Sequence, residues 1–297
     1  MKRIRDDLAA KRILVSDGAW GTFLVAAGLQ AGECPELWNV EHPEVVRGIA
    51  ETYFDAGADL VLTNSFGGSR FKLGQYGLAE RTVELNEAAA ALSREAAGPD
   101  RHVVGSVGPT GKMLMMGDVS EEELYDAFRT QLVALESGGA NACDIETMTA
   151  IDEACIAIRA AKENTGLEVI CTFTYDTSTA AGYRTMMGVS PAQMAEATLA
   201  AGADIIGANC SLATAEMVPV VKELHAAAPD VPILVHPNAG RPIRADDGSI
   251  TYPETPELMA AEVPNLIAAG ARIIGGCCGS GADHIRAIAA AVRAALA

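Results

Sequence analysis

Ala269-Gly270-Ala271-Arg272-Ile273-Ile274-Gly275-Gly276-Cys277-Cys278-Gly279-Ser280-Gly281 is the stretch on which the reading of this chain turns. It begins as a helix end with a glycine stop. An apolar strand, Ala271 to Ile274, follows, and a glycine-rich turn then opens the last helix. The same join recurs at Ala56-Gly57-Ala58-Asp59 and Ala201-Gly202-Ala203-Asp204. Apolar strands fed directly from helices belong to a parallel sheet covered on both faces.

Working outward, further apolar strands alternate with amphipathic helices. The expected strands are Arg12 to Ser16, Ala58 to Thr63, His102 to Val107, Ala140 to Ile145, Leu167 to Thr174, Ala203 to Ala208, Pro232 to Val235 and Ala271 to Ile274. Pro43 starts a helix that Gly57 stops, Ala79 to Ala97 form a long one, Ser120 with Glu123 makes a capping box, and Ser190-Pro191 start the helix ending at Gly202. Eight strands in strict alternation predict an α/β chain folded as a (β/α)8 TIM barrel, with a doubly wound open sheet as the alternative. With no linker and no shift in composition, the 297 residues read as one domain, 1–297. The longest irregular piece, Asn238 to Thr255, is polar and follows the seventh strand, as either a lid or a solvated loop.

Composition narrows the function. A net charge of -17 argues against nucleic acid and anionic membrane surfaces, whose phosphates need clustered Lys and Arg. Seven cysteines at uneven spacing do not form a disulfide framework. Reduced thiols and a cytoplasmic location are expected. Met1 to Arg12 lacks a signal-peptide core, and no apolar run reaches membrane-spanning length.

The vicinal cysteines are the strongest chemical signal. Neighbouring side chains of a regular strand point to opposite faces, so Cys277 and Cys278 face one target only if the chain leaves the strand there. The surrounding glycines permit that bend. Cys210 ends the strand of Ile205-Ile206-Gly207-Ala208-Asn209-Cys210. Active sites of such barrels lie at the C-terminal mouth. Alternate strands share an inner layer, so the sixth and eighth strand ends can converge. Three thiolates suit zinc and leave a fourth position open, the mark of a catalytic site. The same rim holds Asp17, Thr63, Phe66, Glu146, His236 and Asn238. Asp144 and Glu146 share a face by strand period, with Glu146 nearer the mouth.

Each residue has a plainer use. Cys34, Cys143, Cys155 and Cys171 read as small buried hydrophobes. Asp17 and Glu146 can serve as ion-pair or capping residues, and His236 can satisfy a backbone group. A phosphate cradle at Gly279-Ser280-Gly281 would leave both cysteines unexplained. Gly108-Pro109-Thr110-Gly111-Lys112 lacks the P-loop spacing, since Ser106 and Met113 stand where glycine and Ser or Thr belong. No lysine clearly ends a strand as a Schiff-base aldolase requires.

Asp17-Gly18-Ala19-Trp20-Gly21-Thr22, Thr63-Asn64-Ser65-Phe66, Gly105-Ser106-Val107-Gly108-Pro109, Gly207-Ala208-Asn209-Cys210, Pro237-Asn238-Ala239-Gly240 and Gly275-Gly276-Cys277-Cys278-Gly279 resemble, in order and over nearly the whole chain, the homocysteine S-methyltransferase family. That family includes the homocysteine-binding module of cobalamin-dependent methionine synthase and betaine-homocysteine methyltransferase. The resemblance implies zinc held by Cys210, Cys277 and Cys278. It implies that homocysteine is activated as a zinc thiolate and methylated to methionine. Asp17, Gly18, Thr63, Phe66 and Glu146 match positions that hold the amino-acid portion and thiol, with Glu146 on the ammonium. Asn238 matches an asparagine that can lie near the metal when substrate is absent.

For the methyl donor, Val40-Glu41-His42-Pro43-Glu44-Val45-Val46-Arg47 resembles the betaine-using branch. A quaternary ammonium donor needs an aromatic cage, however, and two expected cage positions are filled by Cys34 and Gly67. Trp38, Phe71, Tyr76 or Tyr183 would have to substitute. A methylcorrinoid (methylcobalamin type) carried by a separate protein is therefore the expected donor. Betaine or a sulfonium donor such as S-methylmethionine is the alternative. Two further readings are a zinc methyltransferase for another substrate with a corrinoid partner, and a non-enzymatic metal or thiol-handling protein.

Overall fold

The computed structural model describes residues 2–11, 13–180, 182–244 and 250–297. Eight parallel strands form one sheet: β1 (Leu14–Val15), β2 (Leu60–Leu62), β3 (His102–Val107), β4 (Ala142–Met148), β5 (Glu168–Phe173), β6 (Ile205–Asn209), β7 (Ile233–His236) and β8 (Ala271–Ile274). Their hydrogen-bonded order is β1-β8-β7-β6-β5-β4-β3-β2, and helices connect successive strands around the outside. This is the expected (β/α)8 barrel, nearly closed.

The glycine joins behave as expected: Gly57, Gly202 and Gly270 end their helices with φ of 106°, 108° and 119°. Only glycine enters this left-handed region without strain. The capping boxes at Ser120–Glu123 and Ser190–Gln193 are both formed. β3 and β8 have the expected bounds, while β4 runs further than expected, to Met148. Its pairing with β5 slips between Ile145 and Met148, and Thr147 adopts φ 60°. The irregularity carries Glu146 into the mouth while it is still part of the strand. The expected start of β1 at Arg12, the Met1 end, and residues 245–249 of the expected loop lie outside the described residues.

The ends of the sheet order, β1 and β2, are joined by a backbone bond and by two carboxylates. Asp59 donates its N–H to the Val15 carbonyl at 2.7 Å and accepts from Val15 N at 3.0 Å. Higher up, the Asp17 carboxylate accepts from Leu62 N at 2.8 Å. Asp17 therefore stitches the seam where a ladder bond would otherwise lie.

A helix unforeseen in the sequence, Ile4–Lys11, covers the lower end of the barrel. Its first amide donates to Glu168 Oε2 at 2.6 Å, and Ile4 and Leu8 pack with Leu14, Leu60, Val104, Ile170 and Ile273 in the lumen. Two short hairpins were also missed. One pairs Thr177–Thr179 with Gly182–Arg184, and the other pairs Ile243–Arg244 with Ile250–Thr251. The second makes the stretch after β7 more than a solvated loop. No described helix is long and apolar enough to cross a membrane.

Candidate functional site

At the C-terminal mouth lies a cavity of about 400 Å³. Asp17, Gly18, Thr63, Phe66, Glu146, Cys210, Cys277 and Cys278 all line it, together with His236. Asn238 does not. Its side chain is buried beside the cavity, and its Oδ1 finds no hydrogen-bond partner among the described residues.

The cysteines converge because β7 acts as a spacer between β6 and β8. The carbonyls of His236 and Pro237 accept from Cys210 N at 2.9 Å and Cys277 N at 2.7 Å, while Ala239 N donates to the Cys278 carbonyl at 3.0 Å. Cys210 and Ser211 hold φ of 63° and 61°, a left-handed turn that ends β6. Gly279 has φ +83°, and a Cβ there would fall 2.2 Å from Tyr252 Cγ. Glycine is thus required on both counts at the turn after the cysteine pair.

The three sulfurs lie within 4.8 Å of one another, with Cys210 and Cys278 at 3.8 Å. Hydrogen bonds with Cys210 and Cys277 pull the Cys278 thiol down to about 3. Cys277 is pushed well up by its bonds to the same two sulfurs and then by burial. At Cys210 the bond with Cys277 lowers the pKa, but Cys278 and burial raise it to about 12. Metal-free, the cluster favours a single thiolate, because further ionisation would crowd like charges. A soft divalent cation relieves that repulsion, so the donor set fits zinc. Among the described residues this is the only group of three or more His, Cys, Asp or Glu side chains compact enough for a metal.

Acids and amides form the opposite wall. Burial raises Asp17 to about 6 against hydrogen bonds from Leu62 N, Trp20 Nε1 (2.8 Å) and Ser16 Oγ (3.1 Å). Burial likewise raises Glu146 to about 7, although Ser106 Oγ donates to its Oε1 and Asn209 Nδ2 to its Oε2 at 3.1 Å. A Cβ on Gly18 would meet Ser280 Oγ at 2.8 Å, so its backbone lies tight against the cysteine turn. Thr63 Oγ1 accepts from Ser106 N at 3.0 Å, and Phe66 stays 44% exposed as the outer lip. His236 is fully buried and driven down to about 3 by that burial, hence neutral.

Sequence reasoning assigned no role to Ser106, Asn209, Glu36 or Tyr252. Ser106 and Asn209 stood inside quoted motifs, and the inward period of β3 and β6 was the available signal. Glu36 reaches the wall through bonds to Gly67 N at 2.7 Å and Cys34 Sγ at 3.3 Å. Nothing local in sequence announces it. The aromatic residues lining the cavity are Trp20 and Phe66; Trp38, Phe71, Tyr76 and Tyr183 lie elsewhere. Trp38 packs instead against His42, ring centroids 4.3 Å apart.

Residues 14–292 match the family model described as homocysteine S-methyltransferase. The chain is 34% identical over 302 residues to the methionine synthase of Mycobacterium tuberculosis, covering 96% of this chain and 25% of that protein. Identity to the methionine synthase of Mycobacterium leprae is also 34%, over 95% of this chain and 24% of the relative. The chain thus spans about a quarter of the length of these curated relatives. Among solved structures it resembles the metallated homocysteine methyltransferase MmuM from Escherichia coli. That match has a TM-score of 0.79 and 26% identity, and covers 97% of this chain and 99% of the other.

Proposed function

This chain belongs to the homocysteine S-methyltransferase family, and from that premise we propose that residues 1–297 form a zinc-dependent catalytic unit that methylates the sulfur of homocysteine to give methionine. The observation that carries the proposal is the meeting of three cysteine sulfurs within 4.8 Å at the edge of a cavity whose charged side chains are acids.

Cys210, Cys277 and Cys278 would hold the zinc. When bound, zinc supplies a Lewis acid that lowers the pKa of a thiol taking its open position. The remaining work falls to the chain's own side chains. Glu146, kept on one side of the cavity by Ser106 and Asn209, receives the substrate ammonium. Asp17 fixes the wall beside Gly18, whose backbone faces the amino-acid portion. Thr63 and Phe66 close the outer side, and Phe66 limits water at the sulfur. In the transfer the thiol proton leaves, a sulfur lone pair forms the new bond to the methyl carbon, and the donor keeps the electrons of the bond that breaks.

The donor we favour is a methylcorrinoid presented by a separate protein, because the wall lacks an aromatic cage among the described residues. The acids Asp17, Glu36 and Glu146 favour a second reading, a small sulfonium donor. The test is zinc content with zinc-edge absorption spectra, recorded with and without homocysteine. About one zinc on three sulfurs, gaining a fourth on adding homocysteine, supports the proposal. A closed four-ligand shell that ignores homocysteine overturns it. A screen with methylcobalamin, S-methylmethionine and betaine then separates the donors.

A further inference from the structure

Asp144 takes no part in the activity just described, yet it lies directly below Glu146 on the inner face of β4. It is fully buried, and among the described residues no Lys or Arg side chain bears on it. Its Oδ1 lies 3.2 Å from Thr172 Oγ1, and its Oδ2 has no partner among the described residues. The hydroxyl of Thr172 also lies 3.1 Å from Asn209 Oδ1.

The orientation of Asn209 is fixed. Its Oδ1 accepts from the Thr147 backbone N–H at 2.9 Å, and its Nδ2 points to Glu146 at 3.1 Å and to Thr147 Oγ1 at 2.8 Å. A flipped amide would set an N–H against an N–H. Thr172 therefore has two acceptor neighbours and one proton to give. Both contacts are satisfied together only if Asp144 carries a proton and donates to Thr172, which in turn donates to Asn209. A buried ionised carboxylate with one orphan oxygen would also be far costlier than a neutral acid.

We propose that Asp144 is a protonated carboxylic acid in the resting protein. It acts as a positioning residue whose proton directs the chain Asp144 to Thr172 to Asn209 to Glu146 and leaves Glu146 the single anion at that end of the cavity. The consequence for substrate rests on the reading that Glu146 receives an amino-acid ammonium; the protonation itself does not. The charged groups that bear on Asp144 are Glu146 above it and Asp17 across the lumen, both acids, and both push its pKa the same way as burial does, well above the ordinary carboxylate range. One ammonium then meets one negative charge rather than two.

Infrared difference spectroscopy of the metal-free, substrate-free protein at about pH 9, where Asp17 and Glu146 have shed their protons, tests the proton directly. The carbonyl stretch of a protonated carboxyl, shifted in heavy water, is expected in the wild type, retained in Glu146→Gln and lost in Asp144→Asn. Its absence in the wild type, or its loss in Glu146→Gln, overturns the proposal, and neither spectrum requires Asp144→Asn to fold. In the zinc-loaded enzyme Asp144→Asn, whose amide donates to Thr172 in place of the acid, should keep the homocysteine KM within about threefold. Thr172→Val, which severs the chain, should raise KM about fivefold or more with kcat and zinc content held. A rise of about tenfold or more in Asp144→Asn with zinc retained would mean that a negative charge had been removed, and would also overturn it. If the wild type binds no homocysteine, the substrate reading fails while the infrared result still stands on its own.

Discussion

The barrel lumen has two halves built by the same strands. In the lower half the inward residues are Leu14, Val104, Ala142, Ile170 and Leu234, packed under the helix Ile4–Lys11. Two positions further along each of these five runs stand Ser16, Ser106, Asp144, Thr172 and His236, equally buried. One step of the strand period separates a dry core from a polar one. The lower half lowers its free energy by excluding water, and does so alone. The upper half gathers acids and thiols, whose negative charges would repel one another.

That contrast can be broken most completely at the cysteines. Cys277→Ala should abolish both zinc retention and methyl transfer while the lower lumen stays intact, read by metal analysis, turnover and circular dichroism. Full activity in a zinc-free Cys277→Ala protein would end the division of labour drawn here. The opposite experiment is Leu60→Ala. It should lower unfolding stability by about 2–5 kcal/mol with zinc content and homocysteine KM unchanged. A large KM change would mean that the two halves are coupled.

A finer effect is expected within the polar half. Glu146→Gln should weaken homocysteine about tenfold to a hundredfold and leave zinc in place. Loss of metal instead would put Glu146 in the metal shell. The smallest effect concerns pH. Asp17 and Glu146, at about 6 and about 7, keep protons in the folded state that the unfolded chain has already shed. Between about pH 4 and pH 7 the native state therefore binds more protons, and the stability of the metal-free protein should fall as pH rises through that window. Urea titrations across it should show the fall, flatter in Glu146→Gln. A rise instead would reverse the assignment of these acids as poorly solvated.

Much of this was legible in the chain. The glycine joins gave the phase of the barrel, because a left-handed helix end leaves little choice of residue. The cysteine positions gave the metal candidate, because vicinal thiols beyond a strand end have few other uses. Less visible were features made by distant partners. Asp17 reads as a rim acid, and its bond to Leu62 N depends on a closure that local sequence does not encode. β4 outruns its apolar run because the slip at Ile145 to Met148 is a property of the pairing with β5. The helix Ile4–Lys11 escaped notice because Ile4 and Leu8 make only one turn of apolar spacing. The hairpins are too short to show a period.

The seam between β1 and β2 carries a consequence of its own. Together with Asp59, Asp17 clasps this edge, and its carbonyl also accepts from Gly276 N at 2.9 Å in the approach to the cysteine pair. A substitution at Asp17 that silences catalysis would therefore have two indistinguishable causes in an activity assay: a lost contact to substrate, or a barrel that gapes along one edge. Amide hydrogen exchange at Leu62 in the substrate-free protein separates them, since that proton is held by the Asp17 carboxylate. Fast exchange at Leu62 in an Asp17→Asn protein, with slow exchange along β3 and β4, would mark the residue as a hinge pin of the architecture before it is anything to the chemistry.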